Sequence, residues 1–340
     1  MCKHYQLAAG STKGSQKKRN GDAHIVSTFG LREAYLGIML ADGVGSTSKD
    51  WLASSTACQR FKDIAGPIEA PLTDPEQWLA ATVKEIDTSL AQSPSLLLCA
   101  ATIVIWEIGC DTVCYANIGD TRLYQMGNAA PVQISTDESK AVIRRGVDGK
   151  PLYSGGSVVV QRGITQALGN GHVTPKVAHC PFAPGDALIL GSDGFYGDPK
   201  RFSDFAGQVA RALDLESTVA TAIEDLEGGN DDDATTLVLR RTGKGLNEQQ
   251  VEAILTDACT SSDLPLHVVY QSIEGRLDQW IAQKDETNFL RAIDYLAHQN
   301  CLIPQRRIEG LTKTMLDVGW NTQRHHSQLQ TMLRQHYQRF

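Results

Sequence analysis

An aspartate set in a glycine-rich turn borders an apolar run four times in this chain. Asp42 follows LGIMLA and precedes Gly43. Asp120 sits in the turn of CYANIGDTRLY, Asp193 stands at the end of the apolar run in ALILGSDGFYGD, and Asp232 precedes the last run in GGNDDDATTLVL. Short apolar runs bounded by glycine read as buried strands, so the chain is constrained to sheets whose rim carries acid. Carboxylates gathered on one rim repel each other, and divalent cations are the usual means of neutralising them. The pattern points to hard-metal phosphate chemistry.

At 340 residues the chain has room for one large domain with an appendage, or for two domains. Its net charge of −7 argues against general binding of nucleic acid or anionic membrane. The eight cysteines include no CxxC pair, which removes the zinc-ribbon and thioredoxin-type readings and leaves reduced, mostly buried thiols. The N-terminal stretch MCKHYQLAAGSTKGSQKKRN has no apolar signal core. The longest apolar run, SLLLCAATIVIW, is too short for a bilayer span. A cytoplasmic protein is expected.

Residues 1–241 carry the strand signals: AHIVSTF, AYLGIMLAD, CAATIVIWEI, TVCYANIG, TRLYQM, DALILGSD and ATTLVLRR. CDTVCYANIGDTRLY reads as consecutive antiparallel strands turning at Gly109-Cys110-Asp111 and Gly119-Asp120. Helical periods come in separate blocks. In TDPEQWLAATVKEIDTSLAQ, Asp74 can cap, Pro75 fits the first helical position, and Leu79, Val83, Ile86 and Leu90 share a face. DWLASSTACQRFKDIAG and the stretch from Phe202 to Leu226 also read as helical. Hairpin-linked strands with helices in blocks predict an α+β fold. Residues 242–250 read as a linker. Residues 251–340 lack strand signals and predict an all-α bundle of four or five helices, ending in HSQLQTMLRQHYQRF.

RNGDA, ADGVG, ANIGDTRLY, GSDGFYGD and DDATTLVL occur in that order, with ISTDES after the third and RGITQALG before the fourth. Together they resemble the successive motifs of the metal-dependent serine/threonine protein phosphatases of type 2C, bacterial-like in detail, over residues 1–241. The resemblance implies a four-layer αββα sandwich of two antiparallel sheets flanked by helices. It also implies a centre of two Mg²⁺ or Mn²⁺ ions, with a third, weaker ion in bacterial relatives. Asp42, Asp193 and Asp232 would hold the first ion. Asp42 and the Gly43 carbonyl would hold the second, supported by Asp22, and Asp120 would help hold the third. A water shared by the two metals would be acidic enough to attack a phosphoserine or phosphothreonine. The implied partners are a phosphorylated protein substrate and an opposing serine/threonine kinase.

Four positions depart from the family pattern. The phosphate-clamping arginine, five residues before the first-motif aspartate, is Lys17 here, and nearby Arg19 can substitute in binding phosphate; the alternative is that both belong to a solvated basic turn, KKRN. Lysine offers a point charge in place of a bidentate fork. Gly21 stands where many members carry glutamate, Val44 where they carry a histidine after the DG turn, and Asp233 where asparagine is common. Residues 140–162 fit the family's variable flap, and Arg144 and Arg145 within it read as solvated. Two other functions compete with the active protein phosphatase. One is a pseudophosphatase that binds phosphoproteins as a scaffold; the other is a phosphoester hydrolase acting on a small metabolite. The C-terminal helices, having no chemistry of their own, are assigned a regulatory or docking role.

Overall fold

The computed structural model describes residues 5–320, apart from 46, 48, 128–129, 144, 147, 155–156, 159, 243–245, 247, 257–265 and 299–304. Arg144 and the expected helix over 326–340 therefore lie outside the described residues. In chain order, β1 (Tyr5–Thr12), β2 (Asp22–Phe29) and β3 (Tyr35–Gly43) lead to helices α1 (Asp50–Ala65) and α2 (Pro75–Ala91). Strands β4 (Cys99–Glu107), β5 (Thr112–Ile118), β6 (Arg122–Met126) and β7 (Val132–Gln133) follow. The flap holds β8 (Ser139–Ile143), β9 (Tyr153–Ser154), β10 (Ser157–Val158) and β11 (Val160–Ile164). After β12 (Lys176–Pro181) and β13 (Ala187–Gly191) come α3 (Asp193–Tyr196), α4 (Pro199–Arg211), α5 (Leu215–Glu224) and β14 (Ala234–Arg241). Helices α6 (Glu248–Thr256), α7 (Leu266–Glu274), α8 (Leu277–Gln283), α9 (Glu286–His298) and α10 (Gln305–Asp317) complete the described chain.

Two five-stranded antiparallel sheets form the centre, in the orders β12-β5-β4-β3-β2 and β1-β14-β13-β6-β7. Strand alternation sorts their side chains. Leu36, Ile38 and Leu40 of β3 face inward and meet Val104, Trp106, Leu188, Leu190, Leu237 and Leu239 between the sheets. Met39 and Ala41 face outward against Ala57, Phe61, Val83 and Ile86 of α1 and α2. On the far side, Ile189 and Val238 pack against Phe202, Phe205, Val209 and Val219 of α4 and α5. These are the four αββα layers expected. With both faces covered, β3 reads as a continuous apolar run.

The same alternation positions the acid. One step beyond Leu40 on the inward face is Asp42, where the cleft between the sheets opens. Asp74 caps α2 as expected, accepting from the Gln77 N–H at 2.9 Å, with Pro75 in the first turn. The turn at Gly119-Asp120 differs from the expected hairpin. β5 pairs with β4 and β12, whereas β6 pairs with β13 and β7, so the turn crosses from one sheet to the other. Gly119 takes φ +86°, and a Cβ there would lie 2.6 Å from that of Ala100. The crossing thus needs glycine, and it carries Asp120 to the junction of the sheets.

Beyond β14 a separate core holds Val251, Ile254, Val269, Tyr270, Trp280, Phe289, Leu296 and Leu311. Leu246, inside the stretch read as a linker, is buried in this core, and its N–H donates to Ser272 Oγ at 2.8 Å. Leu213, between α4 and α5, also packs on the bundle. Among the described residues no helix is long and apolar enough to cross a membrane.

Candidate metal centre

Asp22 opens β2 and Asp42 nearly closes β3. The two are direct partners across the antiparallel ladder, so their side chains share the inward face with Cβ atoms roughly 5 Å apart. Asp193 begins α3, immediately after β13. Asp232 lies two residues before β14, and it and Asp193 approach because Gly194 has no side chain. A Cβ on Gly194 would lie 2.0 Å from the Asp233 carbonyl oxygen. Asp120 arrives on the crossing turn, where its carbonyl accepts from the Tyr196 hydroxyl at 2.6 Å. Gly43 lies against the start of α1; a Cβ there would fall 2.3 Å from the Asp50 carbonyl oxygen.

The five carboxylates grade from buried to open. Asp22 and Asp120 are buried at the floor, Asp42 is half-buried, and Asp193 and Asp232 are exposed at the mouth. Asp22 Oδ2 accepts from Ser192 Oγ at 2.7 Å, and Oδ1 is buried with no hydrogen-bond partner among the described residues. Desolvation pushes Asp22 up to about 7, assisted by Asp233 and Asp193 and opposed by the Ser192 and Thr235 hydroxyls. Asp42 is held well above the usual carboxylate range by desolvation, then by the charges of Asp22, Asp193, Asp120 and Asp232. Asp193 is pushed up to about 6 by desolvation, then by Asp232 and Asp120. Its exposure to water softens that effect.

Of the two basic residues expected to meet phosphate, one is at the cluster. Lys17 Nζ lies 2.9 Å from Asp232 Oδ1, 3.2 Å from Asp233 Oδ2 and 4.0 Å from Asp50 Oδ2. Desolvation alone would lower this ammonium, but its bonds and attraction to Asp232 and Asp233 outweigh that and raise it. Arg19 instead stacks 4.2 Å over the Trp51 ring. Arg145, in the flap, donates to the Gly149 carbonyl at 2.9 Å.

The donor set suits a hard cation. It offers only oxygen, it is charged and crowded, and it contains an orphaned buried carboxylate oxygen, which Mg²⁺ or Mn²⁺ can satisfy. Among the described residues no three His, Cys, Asp or Glu side chains are drawn together tightly enough to cage an ion as they lie. Supporting residues escaped the sequence reading. Ser192 orients Asp22, and Asp50 lines the cluster beside Gly21. Glu138, in ISTDES, accepts from Gln166 Nε2 at 2.8 Å and anchors the crossing turn through its N–H to the Gly119 carbonyl at 2.6 Å. Thr102, on β4, donates to Asn117 Oδ1 at 2.6 Å. Each partner comes from another element or turn of the chain.

The fold and acidic rim define a phosphatase of the metal-dependent serine/threonine class. Residues 9–227 match the model of the family described as protein phosphatase 2C, and the chain belongs to that family. No curated protein sequence matches it. Similar solved structures include a serine/threonine phosphatase of S. agalactiae (18% identity, TM-score 0.55, 69% of this chain and 99% of that one). PppA, described as a key regulatory component of T6SS in Pseudomonas aeruginosa, is 21% identical with a TM-score of 0.54, over 70% of this chain and 98% of that one. The catalytic domain of the phosphatase PstP, in complex with two manganese ions, is 19% identical with a TM-score of 0.51, over 70% and 99%. Divalent-metal dependence is general to the family.

Proposed function

We propose that the chain hydrolyses phosphoserine and phosphothreonine in protein substrates, with Mg²⁺ or Mn²⁺ ions gathered by its aspartates. One observation carries the reading. Asp22, Asp42, Asp120, Asp193 and Asp232 converge at one end of the inter-sheet cleft, around an orphaned Asp22 oxygen and beside the Lys17 ammonium. In this reading Asp42, Asp193 and Asp232 hold the first ion, and Asp42 with the Gly43 carbonyl, backed by Asp22, the second; Asp120 serves a third. Bound there, the ions would supply Lewis acidity and a water acidic enough to ionise near neutral pH.

The chain's own groups bind and orient. Ser192 holds the Asp22 rotamer, and Tyr196 ties down the Asp120 turn. Lys17 offers three donors at the mouth to the equatorial oxygens of a phosphate, as a point charge. Val44, after the DG turn, holds no proton for the leaving oxygen, so its protonation falls to another group. The free cysteines among the described residues support a reducing, cytoplasmic setting. The phosphorylated substrate implies an opposing serine/threonine kinase. The C-terminal bundle is assigned to docking or regulation, so deleting residues beyond 245 should spare turnover of a small phosphoester and change the choice of protein substrate.

The test is turnover of p-nitrophenyl phosphate with Mn²⁺, with and without EDTA, beside Asp193→Asn. Turnover that requires the metal and is lost in the variant supports the reading, and a phosphoprotein panel then separates protein from metabolite substrates. A specific observation favours a second reading, a phosphoprotein-binding pseudophosphatase: Gly21 brings no carboxylate and position 17 no guanidinium. Absence of turnover with every divalent metal would select it.

A further inference from the structure

We infer that Asp233 is a positioning residue for Lys17, and that a carboxylate at 233 is matched to a lysine at 17. The inference deepens the phosphatase reading and rests on Lys17 contacting phosphate. Lys17 is carried on the loop between β1 and β2, and Gly14 and Gly21 bracket it. Asp233 grips both ends. Its Oδ1 accepts from the Gly14 N–H at 2.8 Å and its Oδ2 from the Gly21 N–H at 2.7 Å. The Lys17 ammonium then lies 3.2 Å from the same Oδ2. Two backbone bonds reinforce the grip, Ser15 N–H to the Asn230 carbonyl at 2.8 Å and Lys17 N–H to the Gly14 carbonyl at 3.0 Å.

The glycines make this approach possible. A Cβ on Gly14 would lie 2.7 Å from the Asp231 carbonyl and 3.0 Å from Lys17 Cγ, and one on Gly21 would lie 2.9 Å from Asp233 Oδ2. The three groups bonded to the Asp233 side chain are donors: two backbone N–H groups and an ammonium. A carboxylate, acceptor at both oxygens, satisfies all three. A carboxamide would turn its own NH₂ against one of them.

The two neighbouring aspartates divide their work. Asp232 leaves 53% of its side chain exposed and is felt electrostatically by Asp42 and Asp193, whereas Asp233 exposes 3%, faces the loop and is felt electrostatically by Asp22. Asp233 therefore keeps Lys17 at the mouth even when Asp232 is committed elsewhere. The third carboxylate, Asp50, takes the Trp51 N–H at 2.8 Å and stands 4.0 Å from the ammonium, a looser tie.

Two measurements on the full chain test this. In EDTA, amine acetylation read by peptide mass spectrometry should label Lys17 more slowly than exposed Lys18. Asp233→Asn should speed Lys17 relative to Lys18 by about tenfold, the equivalent of one charge-assisted hydrogen bond. With Mn²⁺, the KM for p-nitrophenyl phosphate and the inhibition constant of inorganic phosphate should each rise about tenfold in Lys17→Ala, about tenfold in Asp233→Asn, and about tenfold, not a hundredfold, in the double variant. Multiplying effects, or Lys17 labelling that ignores residue 233, overturns the inference. If Asp233→Asn fails to fold, Asp233→Ser is read the same way, and Lys17 labelling as fast as Lys18 in the unaltered chain overturns it outright. Loss of all turnover in the unaltered chain would sink the phosphatase reading instead, and labelling would still decide the contact.

Discussion

Asp87→Ala should destabilise the chain by about 2–6 kcal/mol through backbone groups far away in sequence. Asp87, on α2, is buried and accepts from the N–H groups of Gly169 at 2.7 Å, Gly171 at 3.0 Å and Val173 at 3.1 Å. Gly171 is open to water, while Gly169 and Val173 are buried. Alanine therefore strands two donors, each at about 1–3 kcal/mol. Asn, keeping one acceptor oxygen, should cost about half as much. The consequence reaches the metal centre. Leu168 and Cys99 exchange backbone bonds of 2.9 and 3.2 Å, and Cys99 and Ala100 are the ladder partners of Gly43 and Asp42. Gly169 is held at φ +98°, where a Cβ would fall 1.8 Å from the Leu97 carbonyl, so the RGITQALG motif closes on the strand beside Asp42. Urea unfolding gives the stability change, and amide exchange at Gly169 and Val173 locates it. A cost under about 0.5 kcal/mol, or exchange at those amides no faster than in the unaltered chain, would refute the reasoning.

Asp22, raised to about 7 from 3.8, binds more protons folded than unfolded between those values. In EDTA its contribution to stability is therefore fully present at the acid end of this window and is lost as pH rises through 7. Asp22→Asn should raise the metal-free Tm at pH 7.5 while weakening Mn²⁺ binding, and a lowered Tm would contradict this. Arg240 is buried and donates to the Val209 and Ala212 carbonyls at the end of α4, at 3.0 and 2.8 Å, and to Gln6. Arg240→Met should cost about 2–4 kcal/mol by denaturant titration, from two stranded carbonyls. Gly194→Ala places a Cβ 2.0 Å from the Asp233 carbonyl, so it should separate Asp193 from Asp232 and abolish Mn²⁺-dependent turnover even where circular dichroism shows a folded chain.

Much of this arrangement was legible in the sequence because it is written in local patterns. Strand alternation leads from Leu40 to Asp42, and the Asp74-Pro75 pair starts α2 where expected. The strands Tyr5–Thr12 and Lys176–Pro181 were missed. The first carries small residues, AAGST, with no clear alternation, and the second contains His179 and Pro181 among exposed or half-buried positions. The Gly119-Asp120 turn looked like a hairpin because a turn sequence does not say which sheet receives the next strand. Lys17 stands at the clamp position in the sequence and Arg19 two residues on; the indole of Trp51 holds Arg19 aside. Asp87, Asp50 and Asp233 carry no periodic signal at all. What they do depends on backbone N–H groups, or a lysine, delivered from elsewhere in the chain.

Anomalous diffraction from crystals soaked in MnCl₂ tests the central claim most directly. The account predicts manganese bounded by the Asp42 and Asp193 carboxylates, Asp232 and the Gly43 carbonyl, and lost in Asp42→Asn. Manganese bound only elsewhere, or a cleft that stays free of it with these carboxylates turned apart, would contradict the account.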